Sequence, residues 1–163
     1  MDFTTTQSFD ASAAEVFECY RTARLAGVLP GFGPLSAAEP LSVDERDGST
    51  VVRLRYRFVG DLPSAATAVV HPSKLTWVEE STYDHAALRA RVRLLPDFYA
   101  NKLQASASVV FDDVGTGSTR TVAGSLKVRV PLVGGQVERA IVNGLVEYLD
   151  EEAAHVARFL AHT

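Results

Sequence analysis

The chain has 163 residues, of which 47% are hydrophobic and 22% charged, with sixteen basic side chains against twenty acidic ones. A net charge of −4 gives no long-range attraction for nucleic acid or anionic lipid, and the composition lies far from the low-hydrophobicity, high-charge pattern of disordered chains. One domain spanning 1–163 is expected, and a domain of this size buries roughly 70% of the surface its unfolded chain exposes, so a sizeable core is available.

Phe3, Thr5, Gln7 and Phe9 share one face under period-2 alternation and predict a short strand ending at Asp10. Ser12, with Glu15 three residues on, forms a capping box, and Val16, Phe17, Cys19 and Tyr20 continue as an apolar helical stripe. A second short helix or turn follows over Arg24 to Val28, stopped by Pro30, Gly31, Gly33 and Pro34.

From Ala37 to about Arg129 the pattern changes to alternating β-branched and aromatic residues with regularly spaced turns. Asp47-Gly48 marks a hairpin between Leu41–Glu45 and Val51–Phe58. In its second strand Val52, Leu54, Tyr56 and Phe58 oppose Arg53, Arg55 and Arg57, so one face is buried and the other wet. The pattern returns in Thr67–His71, Leu75–Tyr83 and Leu88–Leu94. It continues in a strand carrying Leu103, Ala105, Ala107, Val109 and Phe111, and in a last strand carrying Val122, Leu126, Val128 and Val130. About six or seven strands with tight connections make an antiparallel sheet, since parallel pairing needs crossovers of a dozen residues or more. After Pro131 the period becomes 3.6, and Val137, Ile141, Leu145, Tyr148, Leu149 and Val156 form the stripe of a helix over about 133–161. At 1.5 Å per residue it is roughly 40 Å long, enough to cross the sheet.

A strand, two short helices, an antiparallel meander and one long closing helix is the order of the helix-grip α+β fold, and over its whole length the chain resembles the START-like (SRPBCC) superfamily. The resemblance rests most visibly on Phe3-Thr4-Thr5-Thr6 leading to Ala14-Glu15-Val16-Phe17, and on Val130-Pro131-Leu132-Val133-Gly134-Gly135-Gln136-Val137-Glu138 entering the last helix. Within the superfamily the chain looks like a small uncharacterised bacterial family. The resemblance implies a deep cavity between the curved sheet and the long helix, used in relatives for lipids, sterols, plant hormones and polyketide intermediates.

Its wall is then expected from Leu54, Tyr56, Phe58, Trp77, Leu88, Val92, Leu94 and Phe111, with Ile141, Leu145, Tyr148 and Leu149 as the lid. The alternative is a solid core built from the same residues. Small residues at Ala66, Ala68, Ala105, Ala107, Ala123 and Gly124 would make room for a ligand. Tyrosines carry an apolar ring with a polar tip suited to orienting a ligand. Glu79 shares a strand face with Trp77, so it either enters the cavity, where it must be paired or shifted in pKa, or lies at a bulge or solvated strand end, the reading taken here. Phe32, Phe98 and Tyr99, in Gly- and Pro-rich loops, are candidates for the cavity mouth.

His71, His85, His155 and His162 lack metal-ligand spacing, and no phosphate loop or nucleophile motif occurs, so neither metal nor cofactor is expected and no catalytic residue is assigned. Cys19 is the only cysteine and cannot form an intramolecular disulfide. The opening Met1–Thr5 has no apolar leader, and no stretch approaches the roughly 20 apolar residues of a membrane span, so a cytoplasmic protein without integral membrane association is expected. Nothing in the sequence specifies an oligomeric state. The function expected is binding or transport of a small hydrophobic molecule, lipid or polyketide-like. The alternatives are a cyclase, dehydratase or hydrolase acting in the same cavity, or an interaction protein using the arginine-rich sheet face.

Overall fold

In the computed structural model, which describes residues 1–163, the alternation of the opening segment becomes strand β1 (Asp2–Phe9) and the capping box starts helix α1 (Ala13–Arg21). Ser12 Oγ accepts from the Glu15 N–H at 3.3 Å, and the Glu15 carboxylate accepts from the Ser12 N–H at 2.9 Å, which satisfies two of the amides that a helix start leaves unpaired. Ala13, Val16, Phe17 and Cys19 are buried beneath it.

The second short helix expected over Arg24–Val28 is a run of turns. The Ala23 and Arg24 amides donate to the carbonyls of Tyr20 and Cys19, and Leu29 donates to Leu25. Ala23 (φ 50°) and Gly27 (φ 80°) take left-handed conformations that break a helical repeat.

Seven antiparallel strands follow the order β1-β7-β6-β5-β4-β3-β2, with β2 (Glu39–Arg46), β3 (Ser49–Arg57), β4 (Thr76–Asp84), β5 (Arg89–Pro96), β6 (Leu103–Val114) and β7 (Gly117–Val128). Strands β2 to β7 are a meander, and β1 pairs with β7 from Asp2↔Ser125 to Phe9↔Ser118. The expected strand over Thr67–His71 is absent. Helix α2 (Ser64–Thr67) stands there, followed by turns and a 3₁₀ turn over Pro72–Lys74. Pro63 opens that helix, its carbonyl accepting from Ala66 and Thr67, and an alanine-rich segment between two prolines has little to pack as a strand.

Three of the six arginines of the outer face, Arg53, Arg55 and Arg93, are ion-paired. Glu80 of β4 stands between Arg53 of β3 (2.9 Å) and Arg93 of β5 (2.6 Å), Arg53 also meets Asp44 (2.9 Å), and Arg55 meets Asp97 (3.4 Å). Arg57, Arg89 and Arg91 remain exposed without ion pairs.

Helix α3 (Gly134–Ala161) closes the concave side of the curved sheet. Its first turns are clamped to the end of β7: Glu138 Oε1 accepts from the Val128 N–H at 2.8 Å, and Gly134 lies so close that a Cβ would stand 2.5 Å from the Val128 carbonyl oxygen. The helix also buries Val142 and Gly144, which lie outside the stripe named from sequence; Gly144 is covered by Pro34, and Val142 joins the core. No helix of the chain is long and apolar enough to cross a membrane.

Candidate ligand cavity

Between sheet and α3 lies a cavity of about 130 Å³, and 26 of the 32 residues around it are hydrophobic. A fold of this kind curves its sheet around a helix that touches only part of the concave face, and short side chains keep the remainder open. Ala105 and Ala107 of β6 do this, with Ala107 opposite Val92 in β5. The other four small residues do not line the cavity: Ala66 is buried within α2, Ala68 and Ala123 are exposed, and Gly124 faces the Phe3 ring.

Ten of the twelve wall and lid residues named from sequence surround the cavity: Leu54, Tyr56, Trp77, Val92, Leu94, Phe111, Ile141, Leu145, Tyr148 and Leu149. Phe58 is buried in the core beside it, and Leu88 lies in the turn before β5 at φ 49°. The three expected mouth residues stand elsewhere. Phe32 is only 5% exposed and packs against Tyr148 (ring centroids 5.6 Å apart) and His155 (4.8 Å), so it plugs the structure and does not gate it. Phe98 is exposed under Lys74, and the Tyr99 hydroxyl accepts from the His71 N–H, both away from the cavity. The turn run after α1 also lines the cavity, through the half-buried Ala23, Leu25, Ala26 and Leu29.

One side of the cavity is polar. Trp77, Glu79, Ser81 and Tyr83 alternate along β4 and all face inward, so Glu79 stands inside and not at a bulge or solvated end. Its cross-strand neighbours are Leu54 and Leu94, which offer it no hydrogen bond, and its one protein partner is Ser81 Oγ, donating at 3.4 Å. Glu79 is half-buried and borders the cavity. Burial, reinforced by the Glu152 charge, pushes its pKa up to about 7 against the partial relief of Ser81 and Arg120.

Across the cavity, Arg120 of β7 donates to Gln7 Oε1 (3.0 Å), Glu152 Oε2 (2.9 Å) and the Leu149 carbonyl (3.1 Å), and its guanidinium lies 4.3 Å from the Tyr20 ring centre. Its charge is therefore already matched by Glu152. The Tyr56 and Tyr148 hydroxyls lie 3.3 Å apart, and burial raises the phenols of Tyr20, Tyr56, Tyr83 and Tyr148 above their ordinary range. Cys19 also borders the cavity, where burial raises its thiol to about 11 and leaves it unreactive at neutral pH. No three His, Cys, Asp or Glu side chains gather as they would around a metal ion.

Arg120 and Glu152 were not named from sequence, although both positions carried the signal. Arg120 keeps phase with Val122, Leu126 and Val128 on the inward face of β7, and Glu152 falls between Leu149 and Val156 on the α3 stripe. Charged residues on an apolar face read as its edge unless their partners are known, and here the partners come from different ends of the chain.

A family model described as "Protein of unknown function (DUF2505)" matches residues 4–160. No curated protein matches the chain in sequence. Among solved structures, it is similar to TTHA0849 from Thermus thermophilus (TM-score 0.66, 17% identity, 100% of both chains). It is also similar to norcoclaurine synthase from Thalictrum flavum (0.64, 16% identity, 100% of this chain and 87% of the other). The third likeness is to the Zhui aromatase/cyclase from Streptomyces sp. R1128 (0.51, 20% identity, 80% and 69%). At such identities the likeness is one of fold, the helix-grip α+β fold.

Proposed function

The chain belongs to the DUF2505 family of proteins of unknown function, and we propose that it binds and carries a small, mostly apolar molecule held between the sheet and α3. The observation that carries this reading is the cavity itself, walled by Leu54, Leu94, Ile141 and Leu145 and kept open by Ala105 and Ala107. Ligand sites are typically concave, apolar and equipped with a few convergent polar groups, and Glu79, Tyr56 and Tyr148 are such groups here.

Volume narrows the class of ligand. An apolar cavity of about 150 Å³ accommodates benzene, so about 130 Å³ suits a molecule built on one aromatic ring. A long-chain lipid or a multi-ring polyketide is larger than this volume.

Filling the cavity tests the proposal. Ala107→Phe projects a ring into it from β6 and is expected to weaken uptake of a single-ring probe such as 2-phenylethanol at least tenfold, read from the fluorescence of Trp77, the only tryptophan. Unchanged affinity in a folded variant counts against the reading.

A second reading, acid–base chemistry in the same cavity, is favoured by one observation, the carboxyl of Glu79 poised near pH 7. It predicts turnover that follows one ionisation near pH 7 and is lost in Glu79→Gln.

A further inference from the structure

The charges inside the cavity do not balance. Three charged side chains border it: Glu79 on β4, Arg120 on β7 and Glu152 on α3. Arg120 and Glu152 hold each other at 2.9 Å, and the remaining contacts of the guanidinium go to Gln7 and the Leu149 carbonyl. Glu79 is left over. Its neighbours on β3 and β5 are leucines, the Tyr56 and Tyr148 hydroxyls face one another, and the weak Ser81 contact engages only one of its two oxygens. A buried carboxylate is normally paired, and this one lacks a cation from the protein.

The surroundings are rings. Trp77 lies two residues before Glu79 on the same face of β4 and stacks on Tyr56 (centroids 6.2 Å apart, planes at 22°), while Tyr148 meets Tyr56 edge-on at 5.7 Å. Tyr83 stands four residues after Glu79 on that face. Aromatic faces attract cations at close range, and more strongly when water is excluded.

Resting on the cavity-binding reading above, we propose that the ligand is a small organic cation, an arylalkylamine whose ammonium group pairs with Glu79 while its ring enters the apolar side of the cavity. The ammonium supplies the missing counter-charge and satisfies the free carboxylate oxygen. An anionic ligand meets two carboxylates and an arginine that is already engaged. A neutral ligand leaves Glu79 protonated, in line with its raised pKa, and gains at most one hydrogen bond from it. Binding of the amine draws Glu79 into its ionised form and so releases a proton near pH 7. The other groups facing Glu79 are Glu152, Arg120, Tyr56, Tyr83 and Tyr148; the phenols stay protonated there because burial raises them.

Three probes of one size separate the possibilities: 2-phenylethylamine, 2-phenylethanol and 3-phenylpropionate, titrated against the whole chain by calorimetry and by Trp77 fluorescence. The amine is expected to bind at least tenfold more tightly than the alcohol at pH 7 and the acid most weakly. Titrations near pH 7 in two buffers of different ionisation enthalpy should show net proton release with the amine and none with the alcohol. Glu79→Gln, which removes a charge from an apolar cavity and so does not threaten folding, is expected to erase the preference for the amine over the alcohol. Equal or tighter binding of the alcohol, or a preference for the amine that survives Glu79→Gln, overturns the assignment of the cation and leaves the cavity reading standing. Failure of all three probes to bind overturns both.

Discussion

Glu79 is the residue at which the energetics of this fold and its function meet. An ionisable group with an apolar leucine across each strand boundary costs free energy whenever it is charged, and its carboxyl is raised from 4.5 to about 7. Between those values the native state holds more of the proton than the unfolded chain does, so stability falls as pH rises from 4.5 and levels off above about 7. A shift of that size corresponds to about 3 kcal/mol as a ceiling. Glu79→Gln removes the penalty. Urea unfolding of both proteins from pH 4 to 8.5 is expected to show equal slopes below pH 4.5 and a widening advantage for the variant up to about pH 7. A pH-independent difference would place Glu79 in contact with bulk water. Its phase with Trp77 carried the inward direction, although the reading taken from sequence was a bulge or solvated strand end; its lack of a partner was not legible, because partners come from β3, β5, β7 and α3 together.

At the scale of elements, the loop Phe32–Leu35 governs how α3 sits. Pro34 is wedged between Gly60 and Gly144, so close that a Cβ at Gly144 would overlap Pro34 Cγ, and Phe32 of the same loop packs against Tyr148. Gly to Ala inside a helix ordinarily gains up to about 1 kcal/mol. Gly144→Ala is expected to do the opposite, costing roughly 1–3 kcal/mol through overpacking, measured by chemical denaturation. A stabilised variant would mean that the loop is not seated on the helix. The long elements were readable in advance because their signals are redundant: a capping box for α1, Asp-Gly for the β2–β3 turn, and a sustained 3.6 period for α3. The segment over Thr67–His71 misled because two or three alternating residues amid alanines support a strand no better than a turn. The aromatic loop residues misled for a different reason. Phe32 looked exposed among glycines and prolines, yet those residues allow the close approach that buries it.

For the whole molecule, the sheet, α1 with the turns after it, and α3 surround a cavity of about 130 Å³ with a mostly hydrophobic lining. The fold and ten of twelve wall positions followed from periodicity and the resemblance it supports, since a strand's inward face is fixed by alternation alone. Of the three charged residues bordering the cavity, Arg120 and Glu152 were not named from sequence, because their pairing is visible only in three dimensions. The central claim is that this volume exists to hold a ligand, and native mass spectrometry of the chain purified from its own host, followed by solvent extraction, tests it most directly. The account predicts one small, mostly apolar molecule per chain, released on denaturation and carrying a basic nitrogen. A chain found at its bare mass, in which Trp77 fluorescence is also unmoved by the single-ring probes, would contradict it.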